Sequence, residues 1–133
     1  MHQLYWSPNS GSLAPMAVLE ALKETTGADY RAVKVDTKAG EHRTSEYLTK
    51  VHPLGTVPAL QIDGAKTLLE SSAIALYLAD LCPNTILAPA PSSPERGAYL
   101  DWMTFGAVSI YTIYMRIYQA EQHTPEGVEQ DRL

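Results

Sequence analysis

The chain has very little cysteine: Cys82 is the single one among its 133 residues. One cysteine can form neither an intrachain disulfide nor a CxxC redox pair, and such a chain suits a reducing compartment, so we expect a cytoplasmic protein. Metal-site spacing of histidine, cysteine and aspartate is also missing, as is a glycine loop that would cradle a phosphate. The residues therefore predict no metal site and no nucleotide-phosphate site.

Charge and long apolar runs are scarce too. Charged residues make up 19% of the chain, the formal net charge is -5, and no segment is rich in lysine and arginine. A negative overall field disfavours nucleic acid as a partner. The least polar stretch, residues 102–115, is too short and too polar to span a bilayer, and the N-terminus has the pattern of a strand, not of a signal sequence. We expect neither a nucleic-acid nor a membrane partner.

The chain is organised around residues 52–60, His-Pro-Leu-Gly-Thr-Val-Pro-Ala-Leu, which lead into a predicted strand over 59–62. A proline directly before a strand removes one amide donor and fixes φ. Only X-Pro bonds become cis at modest cost, and a cis Val57–Pro58 bond would turn the Val57 amide and carbonyl outward to pair with an extended peptide. The alternative is an ordinary trans turn before an edge strand.

A second motif follows the strands. Glu70, Ser71 and Ser72 precede an apolar run with helical periodicity, which indicates the start of a helix. The free amides and positive potential of a helix start suit a carboxylate, so this segment is a candidate anion site. The alternative for Ser71 is a plain capping serine.

The periodicity elsewhere predicts a βαβ unit, then a helix, a hairpin and another helix. The predicted strands cover 2–6, 30–35, 59–62 and 67–69, and the predicted helices cover 13–26, 45–51 and 71–81. Ser12 is the predicted cap of the first helix and Gly27 its stop, and an Asp-Gly turn joins the hairpin. The first two strands should be parallel, with a right-handed crossover.

Residues 82–94 contain four prolines, which is the composition of a linker. Ser93, Pro94 and Glu95 then mark the start of a helix that we predict to run to about Gln119. Its apolar residues point in every direction, so it must be covered on all sides, yet only a polar tail follows. We therefore expect a fragment, a truncated product or a helix that is covered by association.

The proline segment and the Glu-Ser-Ser-Ala-Ile segment, in this order and spacing, are similar to the N-terminal domain of the glutathione transferases. The resemblance extends from residue 1 to about residue 118. It implies an α/β fold: a thioredoxin-like domain over 1–81 in the order β-α-β-α-β-β-α, a linker over 82–94, and the first helix of an all-α C-terminal domain over 95–133. Pro58 would be the cis proline that characterises this fold.

The resemblance also implies a function. Such an enzyme binds glutathione as co-substrate and activates its thiolate for attack on a small electrophile, and it forms a homodimer. Two alternatives remain open. One is a glutathione-dependent disulfide reductase, dehalogenase or ether-cleaving enzyme of the same fold, and the other is a non-catalytic module used for binding or assembly.

Candidate catalytic residues lie in the turn after the first strand. Ser10 matches the activating hydroxyl of serine-type transferases, two residues after Pro8, and Ser12 is the second candidate. The bacterial cysteine-type branch has its cysteine where this chain has Gly11, so the resemblance excludes the mixed-disulfide chemistry of that branch. Trp6 stands at the position of the tyrosine-type enzymes. A turn or cap role is the alternative for either serine.

The resemblance assigns the other site residues to parts of glutathione. The Val57 backbone, ahead of Pro58, would pair with the cysteinyl part, and Glu70 and Ser71 would hold the γ-glutamyl amine and carboxylate. The glycyl carboxylate would meet a cation, with His52 the best placed of Lys38, Arg43, Lys50 and His52. Tyr111 and Tyr114 would line the electrophile pocket, and Tyr111 is the third catalytic candidate, because a tyrosine hydroxyl could donate to the thiolate or to a leaving group. A core role is the alternative for both.

Overall fold

A computed structural model describes residues 1–63, 66–82 and 87–118 of the chain. The chain divides into two compact units, Met1–Ser93 and Pro94–Leu133. The first unit contains β1 (His2–Trp6), α1 (Leu13–Thr26), β2 (Tyr30–Lys34), a short 3-10 turn (Glu41–Arg43), α2 (Ser45–Lys50), β3 (Ala59–Ile62), β4 (Lys66–Leu68) and α3 (Ser71–Asp80).

The four strands form one mixed sheet in the order β2-β1-β3-β4. Strands β1 and β2 are parallel, as the βαβ pattern predicts, whereas β3 is antiparallel to both β1 and β4. The element order and the mixed sheet confirm the predicted thioredoxin-like α/β fold.

The two faces of the sheet are buried under different helices, because neighbouring residues of a strand point to opposite faces. On one face, Leu4 and Leu60 pack in a cluster that α1 and α3 complete through Leu19, Leu22, Ile74 and Leu78. On the other face, Ala59 packs with Tyr47 and Val51 around α2. The sheet therefore lies between two helical layers, and the layer formed by α2 is the smaller one because this helix has six residues.

The two predicted helix caps differ from the structure: Ser12 occupies the cap position of α1 without capping it through its side chain, and Glu95 stands where Ser93 was predicted to cap the next helix. Ser12 precedes α1 with an αR backbone and no capping hydrogen bond from its side chain, because its hydroxyl oxygen accepts the Ser7 N–H and the Ser10 hydroxyl instead. The helix of the second unit begins at Arg96, with Glu95 in the cap position. Ser93 uses its backbone N–H in a turn bond to the Ala90 carbonyl, three residues ahead of the helix.

The second unit contains α4 (Arg96–Phe105), a π-helical segment (Gly106–Ile110) and α5 (Tyr111–Tyr118) instead of one regular α-helix. The predicted end near Gln119 lies outside the described residues, as does Gly64 of the predicted hairpin turn. Large apolar side chains on this unit are exposed, among them Trp102 at 69%, Ile117 at 67% and Tyr118 at 68%. Within the described ranges, no helix is long and apolar enough to cross a membrane.

Candidate functional site

The sheet brings the predicted site segments to one end. The register pairs Tyr5 with Ala59 and Leu60 with Leu68. The C-terminal end of β1, the N-terminal end of β3 and the C-terminal end of β4 therefore lie at the same end of the sheet. Because β2 is parallel to β1, the loop that follows β2 emerges there too. The segments gathered at this end are the serine turn (residues 7–12), the proline bend (52–58), the start of α3 and the loop over 35–40.

Hydroxyl groups dominate the serine turn. The Ser10 hydroxyl lies 2.7 Å from the Ser7 carbonyl oxygen and 2.7 Å from Ser12 Oγ, and Ser10 Oγ accepts the Ser12 N–H at 3.2 Å. Ser12 is completely buried, whereas Ser10 is half-buried. The single Ser10 proton can be donated to only one of these acceptors at a time. Of the two serines, Ser10 is the partly exposed one, and Ser12 belongs to the interior of the turn.

The proline bend contains the cis Val57–Pro58 bond that the sequence predicts. The ladder of β3 begins only at Ala59, so Val57 lies just before the sheet pairing. The Tyr47 hydroxyl donates to the Thr56 carbonyl at 2.8 Å, and burial, with a smaller contribution from Tyr5, raises the pKa of Tyr47 to about 12. Tyr47 is thus a neutral hydrogen-bond donor that holds the bend against α2.

His52 is the buried centre of the same bend. Its Nδ1 accepts the Leu54 N–H at 3.1 Å, so in the neutral ring Nε2 carries the proton and donates to Thr56 Oγ1 at 2.8 Å. Burial lowers the pKa of His52, and the nearby Glu70 carboxylate offsets part of that effect. With 2% exposure, the ring is enclosed by its own loop and is not presented as a surface cation.

The remaining candidate cations differ in the partners that their charged groups contact. Arg43 Nη1 donates to the Leu54 carbonyl at 3.2 Å, and Lys50 Nζ lies 3.0 Å from the Glu46 carboxylate. Lys38 is exposed on the loop after β2, and no partner within the described part of the chain lies within bonding distance of its ammonium. Among the four candidate cations, Lys38 is thus the one whose charged group has no partner in the described part of the chain.

The start of α3 offers both signs of charge. Glu70 occupies the cap position with an extended backbone and no capping bond from its side chain, so its exposed carboxylate is available to a ligand amine. The first intrahelical bond runs from the Ile74 N–H to the Glu70 carbonyl at 2.8 Å, so the amides of Ser71, Ser72 and Ala73 precede the helical ladder. Because Ser71 is the first helical residue, the capping alternative does not account for it.

Two residues of this end were missed by the sequence reasoning. Ser7 Oγ lies 3.2 Å from Thr37 Oγ1, and Ser7 is 5% exposed. Thirty residues separate the pair in the chain, and no local motif links them. The parallel register, which pairs Trp6 with Lys34, is the signal that could have found them.

Two further features stand apart from the serine turn. Tyr111 lies in the second unit, where its ring stacks on Tyr114 at 6.3 Å, and its predicted role stays a prediction. A depression of about 240 Å³ lies against α2. Its lining contains none of the predicted catalytic residues: Tyr5, Glu46, Tyr47, Lys50 and Val51.

The family to which the chain belongs follows from comparison with known proteins. The model of the family "Glutathione S-transferase, N-terminal domain" matches residues 4–80, which include the serine turn, the proline bend and all of α3. The chain belongs to the glutathione S-transferase family. The match ends at the last residue of α3, so it covers the sheet and its three helices and none of the second unit.

Individual members of the glutathione S-transferase family agree with this assignment. The chain is 32% identical to glutathione S-transferase PM239X14 of Arabidopsis thaliana over 69% of its own length and 45% of the relative's. It is 29% identical to GstA of Escherichia coli O157:H7 over 93% and 59%. A sphingomonad glutathione S-transferase, solved in complex with glutathione, superimposes with a TM-score of 0.76 at 34% identity, covering 96% of this chain and 59% of the other. The chain thus spans about half the length of these relatives.

Proposed function

We propose that the first unit binds glutathione at this end of the sheet and activates its thiol for attack on an electrophile. The observation that carries the proposal is the convergence of four groups at one end of a sheet: a half-buried serine hydroxyl, a strand-entry bend, a helix start with free amides and an exposed lysine. The family membership supports it, as does the sphingomonad relative that was solved with glutathione.

The γ-glutamyl end is assigned to the start of α3. The Glu70 carboxylate would pair with the ligand ammonium, and the Ser71 hydroxyl and the amides that follow would donate hydrogen bonds to the ligand carboxylate. The positive end of the helix dipole favours that carboxylate. The backbone of Val57, which precedes the β3 ladder, would pair with the cysteinyl part. In this arrangement the ligand ammonium lies beside the Glu70 carboxylate, and the ligand carboxylate lies beside the positive end of the helix dipole.

The glycyl carboxylate is assigned to Lys38. The other three candidate cations each have a partner: Arg43 a carbonyl of the proline bend, Lys50 the Glu46 carboxylate, and His52 two bonds inside the bend. We therefore give His52 a different task from the one predicted, namely to hold the proline bend in the shape that presents Val57. A neutral, buried ring suits that task, since it needs no counter-charge.

Ser10 is assigned the activation of the thiol. A free thiol titrates near pH 8.5, and each unit of lowering takes about 1.4 kcal/mol of preferential binding to the thiolate. Rotation of the Ser10 hydroxyl away from the Ser7 carbonyl would direct its proton to the sulfur. The thiol proton would pass to solvent, the thiolate would form the C–S bond, and the leaving group would depart with the electron pair of the bond it loses.

Other groups fit the thiol-activating role less well. Ser12 is buried, and its hydroxyl oxygen already accepts the Ser7 N–H. Gly11 provides no thiol in the turn, and Cys82 is buried at 4% exposure near the C-terminal end of α1, where Thr25 Oγ1 lies 3.0 Å away. Transfer of glutathione to an electrophile is therefore favoured over a mixed-disulfide mechanism that uses a cysteine of this chain.

The whole protein is proposed to act as a homodimer. Apolar side chains of α4 and α5 are exposed to water. Removing apolar surface from water stabilises a protein by about 25 cal/mol per Å². Association would bury such side chains.

The proposed activity is tested with a chloronitroarene and with a mixed disulfide. Conjugation of the arene supports the proposal, turnover of the disulfide alone supports a reductase, and glutathione binding without either activity supports a binding module.

A further inference from the structure

The bonds of the serine turn meet at a residue without an assigned role, Ser7. Its N–H donates to Ser12 Oγ at 3.4 Å, its carbonyl accepts the Ser10 hydroxyl at 2.7 Å, and its hydroxyl lies 3.2 Å from Thr37 Oγ1. Ser7 is 5% exposed, so all three groups are shielded from water. The backbone of Ser7 thus forms hydrogen bonds within the serine turn, while its side chain contacts Thr37 in the loop over 35–40.

Thr37 belongs to a loop whose shape is fixed by its own hydrogen bonds. Asp36 Oδ1 accepts the N–H groups of Lys38 and Ala39, each at 3.0 Å. The Asp36 N–H donates to the Glu41 carboxylate at 2.7 Å, and the Glu41 N–H returns a bond to the Asp36 carbonyl at 3.1 Å. These bonds fix the backbone on both sides of Thr37, so a contact that docks Thr37 also positions the backbone that carries Lys38.

We propose that Ser7 and Thr37 are positioning residues that set the spacing between the two ends of the glutathione site. Their hydroxyl bond docks the loop that carries Lys38 onto the turn that carries Ser10. The spacing matters because glutathione is one molecule whose thiol and glycyl carboxylate must both be met. This inference rests on the proposed function and adds a specificity device to it: selectivity for the glycyl residue.

The test compares glutathione with γ-glutamylcysteine, which lacks the glycyl residue. Calorimetry on the full chain would measure both ligands for the wild type and for Ser7→Ala, Thr37→Val and Thr37→Ser. Loss of one hydrogen bond predicts that Ser7→Ala and Thr37→Val weaken glutathione about three- to tenfold and γ-glutamylcysteine less than about twofold. Thr37→Ser keeps the hydroxyl and should restore selectivity. The double variant should lose no more than either single one, since the two share one bond.

Each outcome decides the matter. An equal loss for both ligands in Ser7→Ala and Thr37→Val, or no loss at all, overturns the inference, because a general structural role would not distinguish the ligands. If the wild type binds both ligands equally, or Lys38→Ala leaves glutathione unaffected, the inference fails together with the assignment of Lys38 to the glycyl carboxylate, while the proposed binding of glutathione and activation of its thiol stand. If the wild type binds neither ligand, the proposed function fails. Circular dichroism melts show whether Ser7→Ala folds, and Thr37→Val provides the same test from the exposed loop.

Discussion

The replacement Ser10→Ala separates activation of the thiol from binding of the peptide. It removes the one side-chain hydroxyl that the turn presents to a ligand and leaves Glu70, Ser71, Val57 and Lys38 in place. The turn itself also loses contacts, because the Ser7 carbonyl, the Ser12 N–H and the Ser12 hydroxyl oxygen each lose the Ser10 partner, and Ser7 and Ser12 are buried. We expect the variant to lose about 1–3 kcal/mol of stability, which circular dichroism melts would measure, and still to fold and bind glutathione.

The size of the effect follows from the bond that is lost. A hydrogen bond to a charged group contributes about 1.5–3 kcal/mol, and one pKa unit corresponds to about 1.4 kcal/mol. The pKa of bound glutathione should therefore rise by about one to two units in Ser10→Ala. Below both pKa values the thiol is neutral in either protein, so the affinities there should agree within about twofold. Ser12 does not replace the lost donor, because it is fully buried.

The assay is a pH titration of the ultraviolet absorbance of the thiolate in the complex, paired with kcat/KM across the same range. Ser10→Thr keeps a hydroxyl and should retain most of the shift, and Ser45→Ala, an exposed serine at the start of α2, serves as the matched control. An unchanged pKa in Ser10→Ala, with affinity intact, would refute the role of Ser10. It would point to Ser12 or to backbone amides as the groups that stabilise the thiolate.

Four other predictions address the bend, the charge pairs and the assembly. Gly55→Ala should destabilise the fold by about 1–3 kcal/mol in urea, more than Gly40→Ala, because both have positive φ but the added Cβ lies 2.7 Å from a carbonyl only at Gly55; equal losses would contradict this. Since burial lowers the folded-state pKa of His52 below 6.5, stability should be full above pH 6.5 and fall as the pH drops toward the folded pKa. His52→Asn should flatten that part of a melting-temperature profile, and an identical slope would count against it. Glu70→Gln should weaken glutathione more than des-amino glutathione, and a uniform loss would argue against the ammonium contact. Light scattering should find a dimer, and a stable monomer at micromolar concentration would disprove the proposed association.

The sequence was sufficient for most of the fold because the decisive signals are local. Alternating and helical periodicity located β1, β3 and α3 to within a residue or two, and the Gly-Thr-Val-Pro order predicted the cis Val57–Pro58 bond. The helix caps were harder to predict from the sequence, because a serine that precedes a helix can form hydrogen bonds with several neighbouring groups. Ser12 accepts hydrogen bonds from across its own turn, a choice that depends on the position of Ser7 and is not encoded in the spacing.

The site was predictable only in outline. Motif order placed Ser10, Val57 and Ser71, and the register then brought their segments to one end of the sheet. Which cation remains available depends on tertiary contacts: His52 is buried inside its bend and Lys38 is exposed. The Ser7–Thr37 contact depends on the parallel pairing of β1 and β2, which no single segment of the sequence contains.

The central claim, that this end of the sheet is a glutathione site, is tested most directly by an NMR titration of the labelled full chain with glutathione. We expect the amides of Ser10, Val57, Ser71 and Lys38 to shift together and to fit one dissociation constant, with S-methylglutathione producing the same pattern. Absence of shifts at saturating glutathione would contradict the claim, as would shifts confined to the depression beside α2 that Tyr5 lines.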